Sequence, residues 1–290
     1  MTDKPRLIAL LVLLLITVVS QANATALYSE AVVIEGDQST GTALDSASSN
    51  SGSAVSASAS SSHDVSVLGG SGDLTFSGSG TAQANYLFLR TSVQGMVDNT
   101  YFDPDYNYDN GTGDVPTAYA VQSIARFEDT LQYGGTAVGY NSKYIIRVTG
   151  TITDYNAFAS IELTHGMAPP QRWFFGEPGP IDITLVSNSF VGAANQPFVL
   201  ELLTGFNADT EFLGDGGFAS AAAQFGNTVE LIGIEARDAA GMLLSTTDFT
   251  SASGTTYQIL AAVPEPASAL MIVVASCLCM AQRRMIGIDR

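Results

Sequence analysis

The feature that most constrains the fold is a two-residue alternation of apolar and polar side chains, in segments separated by turn residues. Between positions 144 and 152 one face reads Tyr144, Ile146, Val148, Gly150 and Ile152, whereas the side chains between them are mostly Arg and Thr. Similar alternation recurs over 181–185 and 198–202. Successive side chains of a strand point to opposite faces of a sheet, so this pattern predicts half-buried strands in antiparallel sheets.

Other segments predict how these strands are arranged. Residues 229–234 are apolar on both faces apart from Glu230 and Gly233, which predicts a central strand. The Asp-Ala-Ala-Gly sequence at 238–241 predicts a turn back into 242–244. Residues 219–223 have helical propensity but lack a polar face. The predicted fold class is all-β, an antiparallel β-sandwich with jelly-roll or Greek-key-like connections.

A segment near the start of the chain is rich in serine, alanine and glycine. Residues 39–63 have the composition of a low-complexity linker. Small residues also alternate over 55–63, which leaves a poorly filled edge strand as the alternative. We expect a loosely ordered start to the body, with regular strands from about Val65.

Both ends of the chain carry hydrophobic segments that indicate export. Lys4 and Arg6 precede an apolar run of about 13 residues, which is too short for a spanning helix and is followed by small residues. Residues 1–26 therefore predict an N-terminal signal helix, cleaved after Ala24 or Ala26. Near the other end, an uncharged run over 267–281 would rise about 22 Å as a helix, short of the ~30 Å hydrocarbon core. This run predicts a short, marginal C-terminal transmembrane helix.

The C-terminal residues resemble a known sorting signal. Val263, Pro264, Glu265 and Pro266 stand before the apolar run, and Arg283 and Arg284 follow it, where they would stay in the cytoplasm. Together with the signal segment, this arrangement resembles the PEP-CTERM proteins of Gram-negative bacteria. The resemblance implies processing by exosortase, a membrane-embedded protease, and delivery to the cell surface, outer membrane or extracellular matrix. One departure is the extra segment 285–290, and the alternative is an ordinary unprocessed membrane anchor.

The resemblance extends loosely into the body. The phrases at 125–131, 223–231 and 251–257 look like phrases of that family. They imply a secreted β-rich surface protein and no known active site. The expected division is a signal peptide at 1–26, a Ser/Ala/Gly-rich stretch at 27–64, a β-sandwich body at 65–262 and a sorting tail at 263–290.

The charge and cysteine content of the body exclude several classes of protein. Residues 27–262 hold six Lys and Arg against 25 Asp and Glu, a net charge of −19. Nucleic acids and anionic membrane surfaces are bound through basic residues, so neither is an expected partner. Both cysteines, Cys277 and Cys279, lie in the C-terminal apolar run, so no disulfide braces the body.

An acidic loop is the one candidate metal site. Asp103, Asp105, Asn107, Asp109 and Asp114 occupy positions 1, 3, 5, 7 and 12 of a twelve-residue window, and calcium takes six to eight oxygen ligands. In an EF-hand calcium-binding loop, position 6 is normally glycine, but here it is Tyr108. A calcium site and a plain acidic surface loop both remain open, and no other cofactor is expected.

Little in the sequence indicates catalysis. The chain has two histidines, His63 and His165, and no G-x-S-x-G motif or body cysteine that could serve as a nucleophile. Trp173 is either a sugar platform or a core aromatic, and the core interpretation is favoured.

The expected function is that of a non-enzymatic surface or matrix protein, either adhesive or associated with exopolysaccharide and biofilm. Signal peptidase and exosortase would be its processing partners. The alternative is a carbohydrate-binding or carbohydrate-cleaving jelly roll. Such a protein needs a sheet face with clustered aromatics, or two carboxylates about 5–10 Å apart.

Overall fold

The computed structural model describes residues 25–35, 42–64, 73–99, 118–133, 140–192, 196–209, 217–244 and 249–258. Within these ranges the strands are β1 (Ala26–Glu35), β2 (Thr42–Ser49), β3 (Val55–Asp64), β4 (Asp73–Ala84), β5 (Phe88–Asn99), β6 (Ala118–Tyr133), β7 (Tyr140–Ile152), β8 (Ala157–His165), β9 (Gln171–Phe175), β10 (Gly179–Val186), β11 (Phe190–Gly192), β12 (Pro197–Asp209), β13 (Phe218–Asp238) and β14 (Phe249–Ser251). The described ranges contain no helix long and apolar enough to cross a membrane.

The strands form two antiparallel sheets. Sheet I has the order β2-β1-β6-β12-β8-β9, and β14 also pairs with β6. Sheet II has the order β10-β7-β13-β5-β4-β3, and β11 also pairs with β7. The chain passes from an edge of one sheet to an edge of the other between β2 and β3, and again between β9 and β10. The predicted antiparallel β-sandwich is confirmed.

The predicted alternation is the pattern by which the sheets bury their inner faces. Along β8, every second residue from Ala157 to His165 is buried. On β7, Tyr144, Ile146, Val148 and Ile152 are buried. Gly150 is on the same face of β7, and a Cβ there would come within 2.6 Å of the Phe225 ring, which explains why a glycine stands at this position. The core lies between the two sheets, and the outer faces carry most of the polar side chains.

The centre of sheet II follows the sequence prediction. β13 lies between β7 and β5, so the predicted central strand at 229–234 is confirmed. Residues 219–223 belong to the same strand rather than to a helix, and Ala221 and Ala223 face the core. The predicted turn is also present, since the backbone N–H of Asp238 donates to the carbonyl of Met242 at 2.9 Å.

The expectation of a loosely ordered start with strands from about Val65 is wrong. β1 lies inside sheet I, while β2 and β3 form neighbouring edges of the two sheets. On β3, Ala57 is buried and the serines on either side of it are exposed. Backbone pairing needs no large side chains, and the two edges approach closely enough for Ser58 N–H to donate to Asp45 at 2.8 Å. The edge-strand alternative therefore describes this segment.

Candidate functional site

The register of sheet I aligns five side chains in one row across its outer face. In strand order these are Tyr28, Arg126, Glu201, Glu162 and Arg172, each directly opposite the next. We name them the charged row. Adjacent strands lie about 4.8 Å apart, so neighbouring side chains of the row are within contact distance. The row spans five strands, or about 19 Å.

Ion pairs neutralise part of the charged row. The Nε of Arg172 donates to Glu162 at 2.6 Å, and Arg126 lies 3.6 Å from Glu128 on its own strand. Glu201 lies between Arg126 and Glu162. The row therefore places two carboxylates from neighbouring strands side by side, with an arginine on either side.

Burial changes the acidity of two groups in the row. Burial raises the pKa of Glu201, the charge of Glu162 raises it further, and Arg126 and Arg172 oppose the shift. Burial also raises the pKa of Tyr28 to about 12, helped by its hydrogen bond to Glu30 and the negative charges of Glu30 and Glu201. Both shifts show that negative charge is disfavoured at Glu201, the central residue of the row, and at Tyr28, its end.

Two aromatic rings lie beside the charged row on the same face. Phe174 of β9 is 65% exposed, and its ring stacks on Phe158 of β8 with centroids 5.7 Å apart and planes at 23°. Phe158 lies over Gly205, its cross-strand partner, where a Cβ would come within 2.4 Å of the ring. We name Phe158 and Phe174 the aromatic pair. With the charged row it forms the outer site.

The outer site places an exposed aromatic ring next to hydrogen-bond donors and acceptors. Phe174 is two residues from Arg172 on the same strand, a separation of about 6.6–6.8 Å. An exposed ring can cover the C–H face of a sugar or another apolar group. Carboxylates accept hydrogen bonds from hydroxyl groups, and a guanidinium donates them.

A second cluster lies in the core around Asp129, which is fully buried. Its carboxylate accepts hydrogen bonds from the backbone N–H groups of Thr130 (2.7 Å) and Ser253 (3.1 Å). It also accepts from the hydroxyls of Ser251 (2.7 Å), Ser253 (2.6 Å) and Tyr257 (2.7 Å). Burial raises the pKa of Tyr257, and its hydrogen bond to Asp129 raises it further. The cluster holds residues 249–258, which we name the C-terminal strap.

The strap connects the two sheets. Its β14 pairs with β6 of sheet I, and the carbonyl of Gln258 accepts from the N–H of Ile234 in sheet II at 2.8 Å. Two of the phrases noted in the sequence, 125–131 and 251–257, meet here. Sequence reasoning missed their contact because 122 positions separate Asp129 from Ser251.

The structure settles the roles of two residues noted in the sequence. His165 is the last residue of β8, is buried, and shares a 2.6 Å hydrogen bond with the hydroxyl of Tyr144. Burial lowers its pKa to about 4, so it is a neutral core histidine at pH 7. Trp173 packs against the core, as the favoured interpretation predicts, while Phe174 next to it faces outward.

Most of the other predicted site residues lie outside the described ranges. These are Ala24, the calcium candidates Asp103, Asp105, Asn107, Asp109 and Asp114, the sorting motif Val263, Pro264, Glu265 and Pro266, and the basic residues Arg283 and Arg284. Ala26 opens β1 and pairs with Glu128, so cleavage after Ala24 would leave this strand whole. Among the residues that the structure describes, no group of three or more His, Cys, Asp and Glu could hold a metal ion.

The fold and the outer site define the class of the protein: an antiparallel β-sandwich with an aromatic and charged sheet face. No protein family matches the sequence, and no curated protein matches it. Among solved structures, a PA14 sugar-binding domain from an RTX adhesin is 13% identical. The match covers 81% of this chain and 99% of that chain, with a TM-score of 0.25. At this identity and TM-score the similarity carries no argument about function.

Proposed function

We propose that this chain is an exported surface or matrix protein whose β-sandwich binds glycan chains through the outer site. The observation that carries the proposal is the ring of Phe174, which is 65% exposed and held by stacking on Phe158. Exposing a large ring costs hydrophobic free energy, which a ligand recovers by covering it. The neighbouring Arg172–Glu162 pair supplies the polar contacts that sugar hydroxyls need.

We infer export from the two ends of the sequence. A signal peptide over 1–26 would direct secretion, and the segment 263–290 would hold the protein in the membrane until exosortase processes it. The mature protein would then act at the cell surface or in the extracellular matrix. Exopolysaccharide is the glycan that we propose as its ligand there.

The alternative is glycan cleavage, and the observation that favours it is the Glu162–Glu201 pair. Opposite side chains on neighbouring strands have Cβ atoms about 5 Å apart, and hydrolases use two carboxyl groups about 5–10 Å apart. Arg172 already engages Glu162, however, which leaves that carboxylate less available as a nucleophile or base. Binding without cleavage is therefore the function we put forward.

Replacing Phe174 with alanine tests the binding proposal. We expect glycan affinity to fall about tenfold or more, since the loss of one aromatic anchor is worth at least about 1.4 kcal/mol. The measurement is binding of the purified protein to a glycan array, followed by titration with the best glycan. The matched control is Phe218→Ala, because Phe218 is 59% exposed on the outer face of sheet II. Equal binding by wild type and Phe174→Ala would refute the proposal.

Incubating the bound glycan with wild type and with Glu201→Gln separates binding from cleavage. We expect no new reducing ends with either protein. If wild type produces new reducing ends and the Glu201→Gln variant does not, the hydrolase alternative is favoured.

A further inference from the structure

We infer that the outer site is selective for extended neutral glycans over polyanionic ones. The inference rests on the proposed function and names the ligand class of the same site. It follows from the charges that the register of sheet I places around the aromatic pair.

Carboxylates outnumber guanidinium groups around the charged row. Arg126 and Arg172 are the basic groups of the row, and each already faces a carboxylate, Glu128 at 3.6 Å and Glu162 at 2.6 Å. Among the residues that the structure describes, the acidic groups in and beside the row are Glu30, Glu128, Glu162 and Glu201. A sugar carboxylate or sulfate would have to compete with these side chains for the two arginines. Anion recognition usually relies on arginines that are available for bidentate contact.

The charge of the whole body acts in the same direction. The net charge of −19 over residues 27–262 repels a polyanion at distances up to the Debye length, about 8 Å at physiological salt. At the centre of the row, Glu201 is desolvated, so charge is poorly screened there. A second anion near Glu201 would therefore be more costly than one in open water.

A neutral sugar meets none of these penalties. Its C–H face would cover Phe174, and its hydroxyl groups would donate to Glu162 and accept from Arg172, whose side chain is 51% exposed. Carboxylate acceptors form charge-assisted hydrogen bonds, which are stronger than neutral ones. The row continues for about 19 Å from Arg172 to Tyr28, a length that suits a chain of several sugars better than a single one.

Matched pairs of glycans test the inference. The purified protein is titrated with neutral oligosaccharides and with uronate-containing or sulfated ones of the same length, at about 0.05 M and 0.5 M salt. We expect neutral chains to bind at least about tenfold more tightly at low salt, with affinity nearly independent of salt. We expect the affinity for anionic chains to rise with salt, because screening weakens their repulsion.

Two variants make the outcome specific to the outer site. Phe174→Ala should weaken the binding of neutral chains. Glu201→Gln should reduce the ratio of neutral to anionic affinity, because it removes a negative charge and keeps the shape of the side chain. If anionic chains bind more tightly than neutral ones and Phe174→Ala weakens that binding, the inference is overturned but the proposed function stands. Glycan binding that Phe174→Ala does not change would instead overturn the proposed function.

Discussion

At the scale of single residues, the side chain of Asp129 accepts five hydrogen bonds in the core. Its carboxylate is fully buried and accepts from two backbone N–H groups and three hydroxyls, all of them neutral. A buried charge is costly unless hydrogen bonds replace its lost hydration. Four of the five hydrogen bonds come from the C-terminal strap, so the strap and Asp129 stabilise each other.

We expect Asp129→Asn to destabilise the protein by about 3 kcal/mol. The amide has one acceptor oxygen instead of two, and its NH₂ group would face hydroxyls that now donate to the carboxylate. The measurement is denaturant unfolding at pH 7, combined with limited proteolysis, which should cut within the strap sooner. Tyr257→Phe is the matched control, since it removes one hydroxyl and keeps the ring, and we expect it to cost about 1 kcal/mol. Unchanged stability of Asp129→Asn would contradict this role.

His165 predicts a pH dependence of stability. Burial lowers its pKa to about 4 from 6.5, so between these values the unfolded chain binds a proton that the folded chain does not. Its contribution is therefore fully present above about pH 6.5 and is lost as the pH falls towards 4. The largest loss is about 3 kcal/mol, from about 1.36 kcal/mol per pKa unit.

The check compares unfolding free energies of wild type and His165→Gln from pH 8 to pH 4. We expect the variant to be less stable at pH 8 and its deficit to shrink as the pH falls. Glu201 acts in the opposite sense, because a raised pKa adds stability as the pH falls, but this contribution is common to both proteins. Parallel curves for the two proteins would show that His165 does not titrate as described.

At the scale of elements, a strand could be predicted from the sequence when its two faces differ in burial. β7, β8 and β12 carry most of their large apolar side chains on the inner face, so their period of two is visible in the sequence. β2 and β3 carry mostly serine and alanine, a composition shared with linkers, and only their pairing with β1 and β4 shows them to be strands. The prediction for 39–63 was wrong because this segment has the composition of a linker, whereas backbone hydrogen bonds to β1 and β4 make β2 and β3 strands.

The aromatic pair shows the same limit within the candidate site. The residues Arg-Trp-Phe-Phe at 172–175 were visible as an aromatic cluster. Which ring faces outward depends on the phase of β9, and pairing with β8 places Trp173 inward and Phe174 outward. A shift of one residue would exchange the two, because successive side chains alternate between faces.

At the scale of the whole molecule, we propose separate roles for the sandwich and for the ends of the chain. Residue 258 is hydrogen-bonded to sheet II, and the predicted sorting motif begins five residues later. Five residues reach at most about 18 Å, so a protease acting on the motif would work close to the folded body.

We expect replacement of Pro264, Glu265 and Pro266 with alanine to leave unprocessed protein in the inner membrane. Alanines would let helix extend through the motif and would remove the group that the processing enzyme recognises. The measurement is cell fractionation with immunoblotting, and Ser268→Ala within the apolar run is the control. Unchanged delivery to the cell surface would reject the sorting hypothesis.

The sequence by itself determined the all-β class, the inner faces of the strongly amphipathic strands, the central strand and the turn at 238–241. These properties are local, because hydrophobic burial imposes a period of two along each strand. Only the tertiary structure decided that the serine-rich segment joins both sheets, that Tyr28, Arg126, Glu201, Glu162 and Arg172 form one row, and that Asp129 holds the C-terminal strap. These contacts depend on register between segments far apart in the chain, and register is set by the packing of the whole sandwich.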